Sequence, residues 1–172
     1  MTVTARTTRL EAVNIMLSSI GEEPINALGD NNPDDAISAQ EILDEGTKEV
    51  LSRGWHFNSD TDIELVPNAN GQISVPDDVS RIDVVGANAG SRDIVYRAGV
   101  LYDKATNSDQ FTGPIRVSLV RLYEFEDIPE SLRRWITIKS SRLFVDRILG
   151  EDAVGRYTRQ EEFSAEQQAR RE

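Results

Sequence analysis

The feature that most constrains this chain is a long amphipathic helix whose packing face is made of small residues. The period of the apolar residues predicts this helix from about Pro33 to Arg53. Asn32 is a suitable cap in front of it, and Gly54 is a suitable left-handed residue behind it. One face carries Ala36, Ala39, Leu43, Gly46 and Val50. Because small side chains let helix backbones approach closely, we expect a second helix to pack against this face.

Helical periodicity also occurs on both sides of this stretch. A first helix is predicted over about Thr8–Ile20. After a long intervening segment, Asp127 and Glu130 have the spacing of a capping box, which predicts the start of a third long helix ended by Gly150. We expect that third helix to be the packing partner of the small-residue face, because neither amphipathic helix buries its apolar residues alone.

Between the helical regions the pattern becomes that of short strands. Trp55–Phe57 alternates apolar and polar residues and predicts a strand directly after the long helix. Asn70-Gly71 lies between two alternating runs and predicts a hairpin, and Ala98-Gly99 predicts another. A last strand is predicted from Ile115 onward. Strands of this length and spacing are typical of a small antiparallel sandwich or barrel-like sheet.

The order of elements predicts an α+β fold. Residues 1–54 and 127–172 are expected to form one helical bundle domain, and residues 55–126 a small antiparallel β domain inserted into it. We further expect one buried core to join the two helical halves through Leu43, Val50, Trp55, Trp135, Ile138 and Leu143.

Composition excludes several classes of function. The net charge of -11 argues against a surface that holds nucleic acid by its phosphates. The chain has no Cys, which excludes thiolate metal sites and cysteine nucleophiles, and His56 is its single histidine. We interpret His56 as a solvent-facing residue, and we predict no catalytic, cofactor or metal-binding residues. No apolar run has the length of a membrane span.

Thirty acidic residues leave one enzymatic alternative open. A glycosidase uses two carboxylates at a defined separation, one of them with a raised pKa. Adjacent acidic pairs such as Asp34-Asp35 and Asp77-Asp78 arise by chance in so acidic a chain. Solvated loops and helix starts are therefore the preferred interpretation of these pairs.

Several stretches, taken together, resemble the tail tubular protein A family of T7-like short-tailed bacteriophages. They are Ala12–Pro24, Asp35 with Ala36, Ala39 and Leu43, Ser52–Asn58, Leu101–Phe111, Arg116–Glu130 and Trp135–Gly150. The most specific signal is the combination of an IGE-x-P motif, an RGW-x-FN motif and an Asp-x-Pro-Glu motif in this order. The resemblance covers roughly residues 10–150 and leaves the charged C-terminal end outside it.

The resemblance implies a structural virion protein made in the host cytoplasm and assembled into the tail. Family members form a head-to-tail adaptor ring of about twelve copies, which implies a homo-oligomer with cyclic symmetry. The implied partners are the portal protein above the ring, the tail nozzle protein (tubular protein B) below it, and a tail fibre protein near that junction. Genomic DNA would pass through the ring without specific binding.

Two groups of residues are candidates for these contacts. We predict that the C-terminal segment docks on the portal, through Arg156, Tyr157, Arg159, Phe163, Arg170 and Arg171. We predict a net acidic lumen, in which Lys104 and Arg116 are candidates for a few centring cations. The alternatives left open are a tail-associated hydrolase of peptidoglycan or capsule glycans, and a cellular binding module that is a monomer in solution.

Overall fold

The computed structural model describes residues 6–86, 93–150 and 157–171. The helices in these ranges are α1 (Arg9–Ile20), α2 (Asp34–Ser52), α3 (Glu130–Leu149) and α4 (Arg159–Ala169). The strands are β1 (Ser59–Leu65), β2 (Val79–Val84), β3 (Ile94–Arg97), β4 (Val100–Asp103) and β5 (Ile115–Arg121). Short 3-10 turns cover His56–Asn58 and Phe125–Asp127. The predicted α+β fold, with helices at both ends and antiparallel strands between them, is confirmed.

The chain divides into two compact units, which we call the helical unit (residues 1–50 and 124–172) and the β unit (residues 51–123). The sequence predicts the domain boundaries at residues 54 and 126, and this division into two domains stays a prediction.

The small-residue face of α2 is buried in the helical unit, as predicted. Ala36 and Ala39 are fully buried. Gly46 lies directly over Ser140 of α3, and a Cβ added at Gly46 would collide with the Ser140 hydroxyl. That hydroxyl donates to the carbonyl of Ile42 at 3.5 Å. The Ser140 hydroxyl therefore occupies the space that a side chain at position 46 would need.

The predicted joint core is correct for four residues and wrong for two. Leu43, Val50, Trp135 and Ile138 are all buried. Leu143 is only half-buried, and its neighbour Phe144 occupies the core instead. The reason is that α3 packs against both α1 and α4, which shifts its buried surface away from the seam expected from one partner. Trp55 is half-buried and belongs to the β unit, so it is not part of this core.

Two predicted helix starts need correction. Pro33 precedes α2 and accepts its first hydrogen bonds, from Ala36 and Ile37, so it is not the first helical residue. The predicted capping box of α3 is wrong, because Asp127 ends a 3-10 turn and α3 begins at Glu130. The Glu130 carboxylate instead accepts from Thr7, at 2.9 Å from the backbone N–H and 2.6 Å from the hydroxyl.

The β unit contains two small antiparallel sheets. One has the order β1-β5-β2, with β5 in the centre, and the other pairs β3 with β4. A bridge from Ser74 to Val100 adds a short extended segment beside β4. The apolar core consists of Ile73, Val75, Leu101, Phe111, Ile115, Val117 and Leu119. The predicted hairpin at Ala98-Gly99 is confirmed, since it joins β3 to β4.

Two other predictions for the β unit are wrong. Asn70-Gly71 does not join a hairpin of paired strands, because β1 pairs with β5 and the segment after the turn pairs with β4. His56–Asn58 is a 3-10 turn, not the start of a strand. The Asn58 side chain is buried and fixes this turn, donating to the carbonyls of Leu51 at 3.0 Å and Arg121 at 2.6 Å.

Candidate functional site

The C-terminal helix α4 is folded against α3. Thr158 and Glu161 form a capping box, in which the Thr158 N–H donates to the Glu161 carboxylate at 2.7 Å and the Glu161 N–H donates to the Thr158 hydroxyl at 3.2 Å. Ala165 and Ala169 are buried, and Glu162 forms an ion pair with Arg142 of α3. Small residues thus let α4 pack closely, and a mostly polar sequence still forms an ordered helix here.

The opposite side of α4 carries a stripe that we call the α4 stripe, formed by Arg159, Phe163 and Arg170. Residues spaced by four and seven positions share one helix face. All three are exposed, and Phe163 is 60% exposed, a large fraction for an aromatic side chain. The Arg170 guanidinium also pairs with Glu166 one turn earlier, at 2.8 Å. An exposed aromatic residue between two cations is the usual composition of an interface anchor.

The other residues of the predicted docking segment lie elsewhere. Arg171 is exposed beyond the end of α4, and Arg156 lies outside the described residues. Tyr157 is half-buried and lines a cleft of about 270 Å³ together with Thr7, Glu130, Arg134 and Ile138. The structure therefore brings Arg159, Phe163 and Arg170 together and separates Tyr157 from them.

The Glu161 carboxylate belongs to the capping box at the start of α4. It lines a second, smaller cleft beside Tyr157 and Arg134. Hydrogen bonds from the Thr158 backbone N–H and then from its hydroxyl hold the pKa of Glu161 below its ordinary value. A general acid in a glycosidase needs a raised pKa, so the arrangement at Glu161 favours a structural cap.

The two basic residues proposed for a lumen are both paired with carboxylates. Lys104 lies 2.8 Å from Asp93. Arg116 lies 2.6 Å from Asp62 and 3.8 Å from Glu64. The hydrogen bond to Asp62, and then the charges of Asp62 and Glu64, raise the pKa of Arg116. Each cation is thus locally compensated, which lowers the positive potential that it offers to a phosphate backbone.

Sequence reasoning missed a second arginine pair on the same sheet. Arg121 donates to Asp78 at 2.8 Å and to Asp60 at 2.9 Å, and these hydrogen bonds raise its pKa. The three residues are far apart in sequence, and only the pairing of β5 with both β1 and β2 brings them together. No local pattern would have revealed this cluster.

Sequence reasoning also missed a buried arginine in α3. Arg133 is 3% exposed, and its guanidinium donates to the backbone carbonyls of Ile128 at 2.7 Å, Thr7 at 2.8 Å and Glu126. It lies over the ring of Phe125 at 5.9 Å. A charge buried this deeply is retained only when its donors are satisfied, so Arg133 fixes the N-terminal segment to the start of α3.

His56 is the remaining residue that the sequence singled out. His56 is exposed on its 3-10 turn, which agrees with the solvent-facing interpretation. In the part of the chain that the structure describes, no three His, Cys, Asp or Glu side chains are grouped in a way that would hold a metal ion. None of the helices in these ranges is both long enough and apolar enough to cross a membrane.

Comparison with known proteins identifies the family. The family model described as "Tail tubular protein" matches residues 10–172, which is nearly the whole chain. Tail tubular protein A of Klebsiella phage KP34 is 28% identical over 154 residues, which cover 89% of this chain and 80% of that protein. The matched region includes all the described helices and strands, apart from the first residue of α1. The resemblance inferred from the sequence is confirmed, and the chain belongs to the tail tubular protein family, as a structural component of a bacteriophage tail.

Proposed function

We propose that this protein is a non-enzymatic head-to-tail adaptor. About twelve copies form a ring with cyclic symmetry between the portal and the tail nozzle protein, tubular protein B. Tail fibres attach near the nozzle junction, and genomic DNA passes through the ring during ejection without specific binding. The family assignment supports a tail structural protein, and the particular place in the tail is our proposal.

The observation that carries the proposal is the α4 stripe. Phe163 stays 60% exposed on an ordered helix, although the same helix buries two alanines against α3. Arg159 and Arg170 flank it, and both are exposed. Exposing a large aromatic side chain brings no benefit to the folded monomer, whereas burial in an interface removes its surface from water. We assign the α4 stripe to the portal contact, with Arg171, Tyr157 and Arg156 as neighbouring members of the docking segment.

We propose that the lumen is net acidic. Residues 51–123 contain seven Lys and Arg and nine Asp and Glu, a net charge of -2, which leaves -9 of the total -11 in the rest of the chain. Lys104 and Arg116 remain the candidates for centring cations, although their carboxylate partners reduce their field. An acidic wall repels phosphates and so lets DNA slide, most strongly at low salt, where the Debye length is about 30 Å at 0.01 M. A ring structure in which Lys and Arg outnumber Asp and Glu along the lumen contradicts this part of the proposal.

The hydrolase alternative has less support. The matching relative is named as a tail tubular protein, which favours a structural role over an enzymatic one. Pure protein should therefore release no reducing sugar from peptidoglycan or host capsule. Reproducible release, abolished by a single carboxylate-to-amide substitution, would establish the enzyme instead.

The direct test is electron microscopy of the protein mixed with its portal, together with a binding titration of variants. Phe163→Ala should weaken portal binding by at least tenfold, the scale of an interface anchor worth more than about 1.4 kcal/mol. Gln168→Ala, an exposed change on the same helix away from the stripe, is the matched control. Equal affinity of Phe163→Ala and Gln168→Ala would show that the α4 stripe does not bind the portal, and the absence of any ring on the portal would contradict the adaptor assignment.

A further inference from the structure

The outward face of the β3–β4 hairpin carries a cation that is held by an aromatic ring. Arg97 lies opposite Val100 in the strand register, and Tyr102 follows Val100 by two positions, so the three share one face. The other face carries Leu101, which is fully buried in the apolar core. The Arg97 guanidinium lies over the Tyr102 ring, 4.3 Å from its centre. The Tyr102 hydroxyl donates to the Asn107 side chain at 2.5 Å, which fixes the position of the ring.

Arg97 differs in its partner from other cations of the β unit. Four of them each pair with a carboxylate: Arg81, Lys104, Arg116 and Arg121. Arg97 is exposed, and among the described residues no carboxylate lies within ion-pair distance of it. A guanidinium stacked on an aromatic ring keeps its N–H donors available at the edge of its plane, where they match the geometry of a carboxylate. We call Arg97, Tyr102 and Asn107 the Arg97 platform.

The helical unit carries a surface of the opposite charge. Residues 21–35, which we call the acidic loop, connect α1 to α2 and include the first two residues of α2. They contain no Lys or Arg and five acidic residues: Glu22, Glu23, Asp30, Asp34 and Asp35. None of these five has an ion-pair partner in the part of the chain that the structure describes. The acidic loop therefore presents negative charge that its own chain does not compensate there.

The acidic loop is held in place by two asparagines. The Asn14 side chain donates to the Ile25 carbonyl at 3.0 Å and accepts from the Ile25 N–H at 2.9 Å. The Asn32 side chain donates to the Ala27 carbonyl at 2.9 Å. Because its backbone is already fixed, the loop loses less conformational entropy when a partner binds it.

Charge favours a protein over DNA as the partner of the Arg97 platform. Proteins hold duplex DNA through several phosphate contacts, whereas the β unit has a net charge of -2. Arginine and tyrosine are the residue types that anchor protein interfaces. The rest of the chain carries a charge of -9, so copies that met through their helical units alone would place acid against acid. A contact between the Arg97 platform and the acidic loop joins opposite charges instead.

We propose that the Arg97 platform of one copy binds the acidic loop of a second copy, with the guanidinium paired to the carboxylates of Glu22 and Glu23. The proposal rests on the ring suggested above and names the contact between its neighbours. The platform belongs to the β unit and the loop to the helical unit, so two different surfaces of the chain meet. A contact of this heterologous kind, repeated about an axis, closes a ring of more than two copies.

Charge reversal in separate copies tests the contact. Arg97→Glu places a carboxylate against the acidic loop of the next copy, and Glu22→Lys with Glu23→Lys places cations against Arg97. We expect each variant alone to form about tenfold fewer rings on the portal in electron micrographs. An equal mixture of the two should restore the rings, because every contact in an alternating ring then joins opposite charges. A ring with an even number of copies allows this alternation.

Lys48→Glu is the matched control, since it makes the same change of charge on an exposed lysine of α2. It should form rings as often as the natural protein. Arg97, Glu22 and Glu23 are all exposed, so the reversed variants should keep the natural midpoint in a circular-dichroism melt. In 1 M salt the Debye length falls to about 3 Å, and the differences between variants should shrink.

Disulfide cross-linking measures the contact without counting rings, because the natural chain has no Cys. Val100→Cys places a thiol opposite Arg97, and Ala27→Cys places one at an exposed position of the acidic loop. The two variants are mixed with portal protein and oxidised, and the heterodimer is identified by its mass. The control mixture replaces Val100→Cys by Val66→Cys, at a valine of the β unit that is 67% exposed. The Val100 mixture should give several-fold more heterodimer.

The outcomes separate this inference from the adaptor proposal. Rings of Arg97→Glu as frequent as those of Lys48→Glu overturn the contact and leave the adaptor intact, and weaker binding of duplex DNA by those rings would assign Arg97 to DNA. Rescue only when all three reversals lie in one chain shows pairing within a copy, which also overturns the contact. If the natural protein forms no rings, the adaptor is contradicted and the cross-link decides: excess heterodimer supports the contact, and equal yields overturn it.

Discussion

The helical unit and the β unit differ in how far apart in sequence the residues lie that form their secondary structure. In the helical unit, α1, α2 and α3 follow from local periodicity, and the glycines predicted to end α2 and α3, Gly54 and Gly150, follow these helices with positive φ. In the β unit, the central strand β5 pairs with β1 and β2, more than thirty residues away. The comparison shows that the helices of this chain can be predicted from local pattern. The strand pairing of the β unit, in contrast, is set by packing between residues far apart in sequence.

The two units also differ in charge. The β unit carries a net charge of -2, and the remainder of the chain carries -9. In the β unit, arginines on the sheet are matched with carboxylates on neighbouring strands. The helical unit has a large excess of acid and exposes Phe163 between cations on its last helix. Surface contacts of the two units with partners should therefore differ in chemistry as well as in position.

The largest effect is expected when the largest buried side chain of the helical unit is truncated, which tests whether the two units unfold separately. Trp135→Ala should lower the free energy of unfolding of that unit by about 3–5 kcal/mol, because Trp135 is only 1% exposed. The variant retains Trp55 as its single tryptophan, inside the β unit. Far-UV circular dichroism then follows the helices while Trp55 fluorescence follows the strands. Two separate urea transitions support independent domains, and one shared, shifted transition contradicts the predicted domain division.

The reciprocal change is made in the β unit. Leu101→Ala should cost about 2–5 kcal/mol, since Leu101 is fully buried in the apolar core of the two sheets. In a Trp135→Phe background, where Trp55 is the single tryptophan, fluorescence should report this loss at lower urea, and the helical signal should keep the midpoint of that background. Val66→Ala, which shortens a side chain that is 67% exposed, is the control and should leave both midpoints unchanged.

A smaller effect is expected at the crossing of α2 and α3. Gly46→Ala should destabilise the helical unit by about 1–3 kcal/mol, because the added Cβ displaces the buried Ser140 hydroxyl from its place beside the Ile42 carbonyl. The higher helix propensity of alanine offsets about 1 kcal/mol of this cost. Gly29→Ala, where an added Cβ meets no neighbouring atom, is the control for a substitution without a clash. A Gly46→Ala variant as stable as the natural protein would show that the position of the Ser140 hydroxyl makes no net contribution to stability.

The smallest effect concerns the start of α4 and depends on pH. The folded pKa of Glu161 lies below its ordinary value, so the capping box contributes stability that is fully present above that ordinary value and is lost as pH falls through the folded pKa. The protection factors of amides in the first turn of α4, which compare exchange with the intrinsic rate at the same pH, should fall over that acidic range. Glu161→Gln should remove this pH dependence of protection and leave the protection factors in α3 unchanged. Protection factors that do not change with pH in the natural protein would show that the carboxylate does not stabilise the cap.

Local pattern by itself determined a large part of this protein. Three of the helices, their terminal glycines, the β3–β4 hairpin and the last strand follow from periodicity and turn chemistry, because these depend on residues close in sequence. The combination of the IGE-x-P, RGW-x-FN and Asp-x-Pro-Glu motifs was likewise sufficient to predict the family. The absence of Cys excluded thiolate metal sites and cysteine nucleophiles, and the excess of acidic residues argued against a surface that binds nucleic acid by its phosphates.

Tertiary structure alone decided the rest. Phe144 replaces Leu143 in the core because α3 has partners on more than one side. Glu130 binds Thr7 instead of forming the predicted capping box, and Arg133 is buried because three backbone carbonyls from distant segments meet its guanidinium. The partners of β1 and the pairing of Arg116 with Asp62 follow from the sheet order. The physical reason is common to all of these: each depends on which distant groups satisfy a polar or apolar surface, and a local pattern carries no information about groups far away in sequence.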